Sequence, residues 1–117
     1  MHNYKELKVW QKARELVKFI YILTGKFPKE EVHGIISQMR RAVVSISSNI
    51  AEGSGHSSKK IFIRFLEIAY SSASELETQL ILSFDLGFIQ ENELNVGSEA
   101  ISEVQKMLKG LINSLDV

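Results

Sequence analysis

The sequence predicts an all-α protein, an antiparallel up-down-up-down four-helix bundle, on three observations. Four stretches repeat apolar residues at steps of three and four, the spacing that lines one face of a helix. No stretch alternates apolar and polar residues for long enough to make a strand. The punctuation between the stretches is short, with glycines at 25, 53, 55 and 87 and the one proline at 28, and short connections favour antiparallel neighbours. At 117 residues the chain is the size of a single domain, 1–117, large enough to bury about two thirds of its unfolded surface.

The first helix is expected over Tyr4–Thr24, capped by Asn3. Val9, Ala13, Leu16, Ile20 and Leu23 make its apolar line, widened by Leu7, Trp10, Val17 and Tyr21, so it touches more than one neighbour. Gly25 is expected to end it in a left-handed conformation. Pro28 suits the first turn of the second helix, where its missing N–H has no helical partner, and Glu30 and Glu31 complement the helix dipole there. This helix is expected to run through Gly34 to Glu52 and to break at Gly53, Ser54 and Gly55. It is the element around which the others are arranged. Ile36, Met39, Val43, Ile46 and Ile50 form a packing seam, and beside it Gln38, Arg41, Ser45, Asn49 and Glu52 form a polar or small-residue line suited to a close contact.

The third helix is expected from Ser57 or Ser58 to Leu86, closed by Gly87 with Phe88 as the apolar residue beyond the cap. Its main stripe is Phe62, Phe65, Leu66, Ala69, Ala73, Leu76 and Leu80. Ile61, Ile63, Ile68, Ile81 and Leu82 lie outside that stripe, more apolar surface than one bundle needs on one helix, which predicts self-association. The fourth helix, from near Gln90 to Leu115, carries Leu94, Gly97, Ile101, Val104, Leu108, Leu111 and Leu115 without a miss. Gly97 is expected to loosen its first turns. A turn at Ser54–His56 would bring residues whose numbers sum to about 111 level across the second and third helices. Ser45 would then face Leu66, and Arg40 or Arg41 would reach Glu67 or Glu75 as a register-fixing ion pair. Asn49 and Glu52 are expected to satisfy polar groups around the Gly53 turn.

The chemistry expected is correspondingly spare. The chain has no cysteine, which fits a reducing cytoplasm, and neither a leader-like apolar run nor a membrane-length one. His2, His33 and His56 have no partners at metal-ligand spacing, and the serines sit in no nucleophile motif, so no metal, cofactor, small-molecule substrate or enzyme activity is expected. The net charge is zero, but residues 1–64 hold 12 Lys and Arg against 5 Asp and Glu, while residues 65–117 hold 2 against 9. Basic and acidic helices packed side by side account for this most simply; a basic face open to phosphates is the sharper reading. The turn Glu52–Lys60 follows a helix and lacks the Gly-Lys-Ser or Gly-Lys-Thr ending of a phosphate loop. Lys59, Lys60 and Arg64 are candidates for phosphate-backbone contact, joined by the lysines of the first helix if those share a side.

The stretches YKELKVWQKARELV from Tyr4, FPKEE from Phe27, GIISQMRRAVVSISSNIAEG from Gly34, FIRFLEIAYSSASELETQL from Phe62 and KMLKGLINSL from Lys106 resemble one family nearly end to end. It is the four-helix-bundle family named for proteins encoded within intervening sequences of bacterial 23S ribosomal RNA genes. Ser47 stands where that family usually has proline, and His56 where arginine is common. The resemblance implies a four-helix protomer without enzyme activity. It also implies a ring of five, because the related accessory protein of diversity-generating retroelements looks like a pentameric barrel that binds nucleic acid and a reverse transcriptase. A nucleic-acid role carried over from the family would rest on Lys12, Arg14, Lys59, Lys60 and Arg64, with Arg40 a further candidate left open between phosphate contact and ion pair, while the helical spacing and register make Gln38, Arg41, Ser45, Asn49, Glu52, Glu67 and Glu75 a structural polar network. The expected role is an oligomeric, RNA-binding or ribonucleoprotein accessory bundle; the alternative is a protein–protein adaptor with no nucleic-acid role.

Overall fold

A computed structural model describes residues 2–116. Four helices, α1 (Lys8–Thr24), α2 (Ile35–Ser54), α3 (Lys59–Asp85) and α4 (Glu91–Leu115), run alternately up and down in a bundle with extents of 44 × 24 × 20 Å. Each helix packs on the next, α1 closes the ring against α4, and α1 and α3 stand diagonally apart. The apolar lines named above meet on the axis, where Ile20, Met39, Ile46, Ile50, Phe62, Leu66, Leu76, Leu80, Ile101 and Leu108 are fully buried. No helix is long and apolar enough to cross a membrane, and no cluster of three or more His, Asp or Glu is placed to hold a metal ion among the described residues.

The ends of the helices show where local chemistry decides. At the end of α3, Gly87 takes φ +81°, its N–H donates to Phe84 O at 3.0 Å, and the Phe88 N–H donates to Ser83 O at 2.9 Å. This is the paired closure that a C-terminal glycine permits. Phe88 then packs against Phe27, ring centres 5.3 Å apart. Ser58 caps the start of α3 by accepting from the Ile61 N–H. At the start of α4 the Glu93 carboxylate accepts from the Gln90 N–H at 2.8 Å and from Lys26 Nζ at 3.1 Å. Those two donors, the backbone N–H first, hold the Glu93 carboxyl below the usual glutamate range.

Four expectations need correction. The first helix does not start at Tyr4. Asn3 caps a separate 3₁₀ turn, Tyr4–Glu6, Leu7 is extended at φ −72° and ψ 123°, and α1 begins at Lys8. The Gln11 side chain bridges that break by donating to Lys5 O at 2.9 Å. Gly25 is right-handed at φ −63°. Pro28 opens only a 3₁₀ turn, Lys29–Glu31, because the chain leaves helical geometry at Gly34 (φ −109°, ψ −118°), so α2 starts at Ile35.

The fourth concerns Gly53 and Gly97: α2 does stop at Ser54 with Gly55 as its cap, but Gly53 itself stays helical, and Gly97 does not loosen α4. Gly53 is buried inside α2, and a Cβ there would lie 2.6 Å from Phe65 Cβ and 3.0 Å from Phe62 Cδ1. At Gly97 a Cβ would lie 2.5 Å from Leu80 Cδ2 and 3.2 Å from Phe19 Cε2. Both glycines are contact surfaces for a neighbouring helix. The register of α2 on α3 also differs from the expected one: Ser45 shares a 2.9 Å hydrogen bond with Ser72, six residues beyond the expected Leu66.

Gly53→Ala should lower stability by about 1–3 kcal/mol through overpacking, although alanine is the better helix former. Gly110, with open space around its Cα, should gain about 0.5–1 kcal/mol on the same change, measured by urea denaturation. Glu93→Gln should cost about 0.5–1 kcal/mol at pH 7. Because the folded-state pKa of Glu93 is depressed, its contribution is full above the ordinary glutamate value and is lost as the pH falls through the folded one. Melting curves of the two proteins should therefore converge in acid.

Candidate nucleic-acid interface

The cations singled out in the sequence do not share one surface. Lys12, on α1, pairs with Glu15 at 3.9 Å and with Glu103 of α4 at 3.7 Å. Lys26 pairs with Glu93 at 3.1 Å. The basic first helix and the acidic fourth therefore compensate each other side by side. Arg14 lies 5.7 Å from the Trp10 ring centre and borders an outer α1 groove with Glu15 and Lys18. Lys59, Lys60 and Arg64 do come together, on the first turns of α3, in a groove closed by Ile112 and Leu115 of α4 and bordered by Glu67 and Asp116. The first-helix lysines cannot join them, because α1 stands diagonally across the bundle.

Arg40 is built into the fold. Its Nε donates to Thr24 Oγ1 at 2.9 Å and its Nη2 to Tyr21 O at 3.3 Å, with the guanidinium carbon 4.4 Å from the Tyr21 ring centre. Thr24 is buried, and its hydroxyl donates to Ile20 O at 2.7 Å, which leaves its oxygen free to accept from Arg40. Arg41, one residue on and about 100° further round α2, points elsewhere. It reaches only Ser37 Oγ, at 3.5 Å, and is exposed.

The expected polar network is only partly assembled. Asn49 Nδ2 donates to Ser45 O at 2.8 Å and to Ser45 Oγ at 3.0 Å, and Ser45 bonds Ser72, so this part joins α2 to α3. Asn49 thus bonds back along α2, away from the Gly53 end. Among the described residues neither Arg40 nor Arg41 forms an ion pair with Glu67 or Glu75. The six-residue register offset carries Glu67 away from Arg41, to the border of the Lys59 groove, and brings Glu75 level with it: Arg41, Gln38 and Glu75 border one open groove with Gln79 without an ion pair, and Glu52 is exposed. Gln79 is itself buried, with an Oε1 that has no hydrogen-bond partner.

Residues 5–110 match the 23S rRNA-intervening sequence protein family. The chain belongs to that family. A crystal structure of a protein of unknown function from the S23 ribosomal protein family of Bacteroides thetaiotaomicron is similar to it. The TM-score is 0.80 at 26% identity, covering 89% of this chain and 97% of that one. No curated protein matches.

Within this family member, Thr24, Tyr21 and Gln79 are the site residues that sequence reasoning missed. Tyr21 counted as one more apolar position on α1. Thr24 carried a usable signal: a hydroxyl adjoining the apolar line of Ile20 and Leu23 must find a partner if buried. Thr24→Val, which keeps shape and removes the acceptor, should cost about 1–2 kcal/mol because Arg40 Nε is left unpaired. Most of that loss should disappear in an Arg40→Met background, read as the coupling energy of a double-mutant cycle.

Proposed function

We propose that the chain is a non-enzymatic, self-associating helical bundle that binds structured RNA or an RNA–protein particle through its cationic surfaces. The observation that carries this reading is membership, over residues 5–110, of a family named for intervening sequences in ribosomal RNA. The surface chemistry is compatible with it. Lys59, Lys60 and Arg64 sit at the positive end of the α3 dipole, outside the ion pairs found among the described residues. Self-association draws support from Ile61, Ile68, Ile81 and Leu82, exposed on α3, with Leu86 exposed at its cap, and from the buried, unpartnered Gln79 carbonyl in the α2–α3 groove. A ring of five and a reverse-transcriptase-like partner belong to this proposal through the family resemblance alone.

A protein–protein adaptor is the second reading, favoured by the same exposed α3 residues. A protein partner retained after nuclease treatment in high salt would select it.

Fluorescence anisotropy with a labelled RNA hairpin tests the first reading. Log affinity should fall linearly with log salt with a slope of roughly −2 to −4, and Lys59→Gln with Lys60→Gln should flatten it by about 2. An absence of binding at low salt would remove the RNA claim. Light scattering that returned the mass of a single chain at micromolar concentration would remove self-association.

A further inference from the structure

A groove of about 510 Å³ opens between the end of α1 and the first half of α2, within the size range of small-ligand sites. Its wall includes Tyr21, Val32, Ser37, Arg40, Arg41 and Val44, and no carboxylate. Four further grooves on the bundle each include at least one acidic side chain: Glu75, Glu15, Glu15 with Glu103, and Glu67 with Asp116. This groove is thus cationic without internal compensation. Its two arginines are also unequal. Arg40 is held over the Tyr21 ring, 4.4 Å from its centre, by Thr24 and the Tyr21 carbonyl, whereas Arg41 has only its long 3.5 Å bond to Ser37 Oγ. Tyr21 is 42% exposed, Val32 51% and Val44 39%, so the Tyr21–Arg40 pair has apolar, solvent-facing edges.

The geometry points to this groove as the seat of a single unpaired nucleotide of an RNA strand. The base lies against the Tyr21–Arg40 platform between Val32 and Val44, and the phosphate accepts from Arg41 with Ser37 beside it. Stacking on aromatic rings and guanidinium planes is how single-stranded bases are held, and Arg41 supplies the fork that matches phosphate oxygens. A paired stem offers no base face to the platform, so the groove selects loops, bulges and ends. The inference rests on the RNA-binding reading above and locates a contact distinct from the Lys59, Lys60 and Arg64 cluster.

The test uses the full chain and three probes in anisotropy or competition: a fluorescent hairpin with an unpaired loop, a blunt duplex of equal length, and free AMP. The wild type should prefer the hairpin to the duplex, and AMP should compete only weakly. Tyr21→Leu should weaken hairpin binding about tenfold, while Tyr21→Phe, which keeps the ring, should retain it. Arg41→Gln should weaken it several-fold and reduce the salt slope by about one, whereas Lys106→Gln, equal in charge change but distant, should not. Unchanged thermal melting confirms that each variant is folded. Hairpin binding that survives Tyr21→Leu and Arg41→Gln overturns this assignment and leaves the RNA-binding reading standing. AMP binding as tight as the hairpin reassigns the groove to a free nucleotide and also overturns it. Failure of the wild type to bind any RNA removes both.

Discussion

The close approach of α2 and α3 is the constraint on which the rest of the bundle depends. It is made by residues with little or no side chain: Gly53 against Phe62 and Phe65, and Ser45 against Ser72, with Ala42, Ala69 and Ala73 buried in the same layer. Interiors are packed to crystal-like density, so a single added methyl at Gly53 has no space unless the α3 backbone moves. The contact also anchors the amino-terminal segment, because the His2 N–H donates to Ser54 O and its ring lies 5.2 Å from Phe62. The direction of α3, the placement of Lys59, Lys60 and Arg64, and the groove that holds Gln79 are set by this one approach.

Charge is organised around the opposite seam. The basic surplus of α1 and the loop after it meets the acidic surplus of α4 through Lys12–Glu103 and Lys26–Glu93, surface pairs each worth no more than about 1 kcal/mol. Their importance lies less in stability than in what they neutralise. Where α1 meets α4, the apparent division of the chain into a positive and a negative half is offset between neighbours. What remains is local, at the start of α3 and at the end of the α1–α2 hairpin, and a net charge of zero therefore says little about either patch.

Helix number, order and core faces were legible because each is written in local chemistry. The apolar steps of three and four select the buried residues, and Ser58, Gly87 and Glu93 mark helix ends through bonds made within a few residues. Register was not legible. Gly53 in sequence is compatible with a helix stop or with a packing contact, and only the position of Phe65 in space separates the two. A register six residues out set Ser45 against Leu66 in place of Ser72, and the ion pairs it suggested from Arg40 or Arg41 to Glu67 or Glu75 do not form, although Arg41 and Glu75 border one groove. The register of α1 on α2 was equally hidden, and with it the partner of Arg40, since nothing near it in sequence indicates that the hydroxyl sixteen residues earlier will be its acceptor.

The adjacent arginines show how one helix divides identical side chains between two tasks. Successive residues on α2 diverge by about 100°, so Arg40 is carried toward α1 while Arg41 is left at the outer edge. A free arginine loses about 2 kcal/mol of rotamer freedom when a ligand fixes it. In Arg40 that ordering has already taken place in folding, through Thr24 and the Tyr21 carbonyl, and a partner that stacks on the resulting plane does not bear it again. Arg41, tied only by a long 3.5 Å bond to Ser37 Oγ, keeps most of its freedom, which suits a group that must follow a phosphate whose position varies with the strand. Exchanging the two roles would require moving Thr24, and Thr24 is held by the carbonyl of Ile20 on the helix that forms one wall of the core.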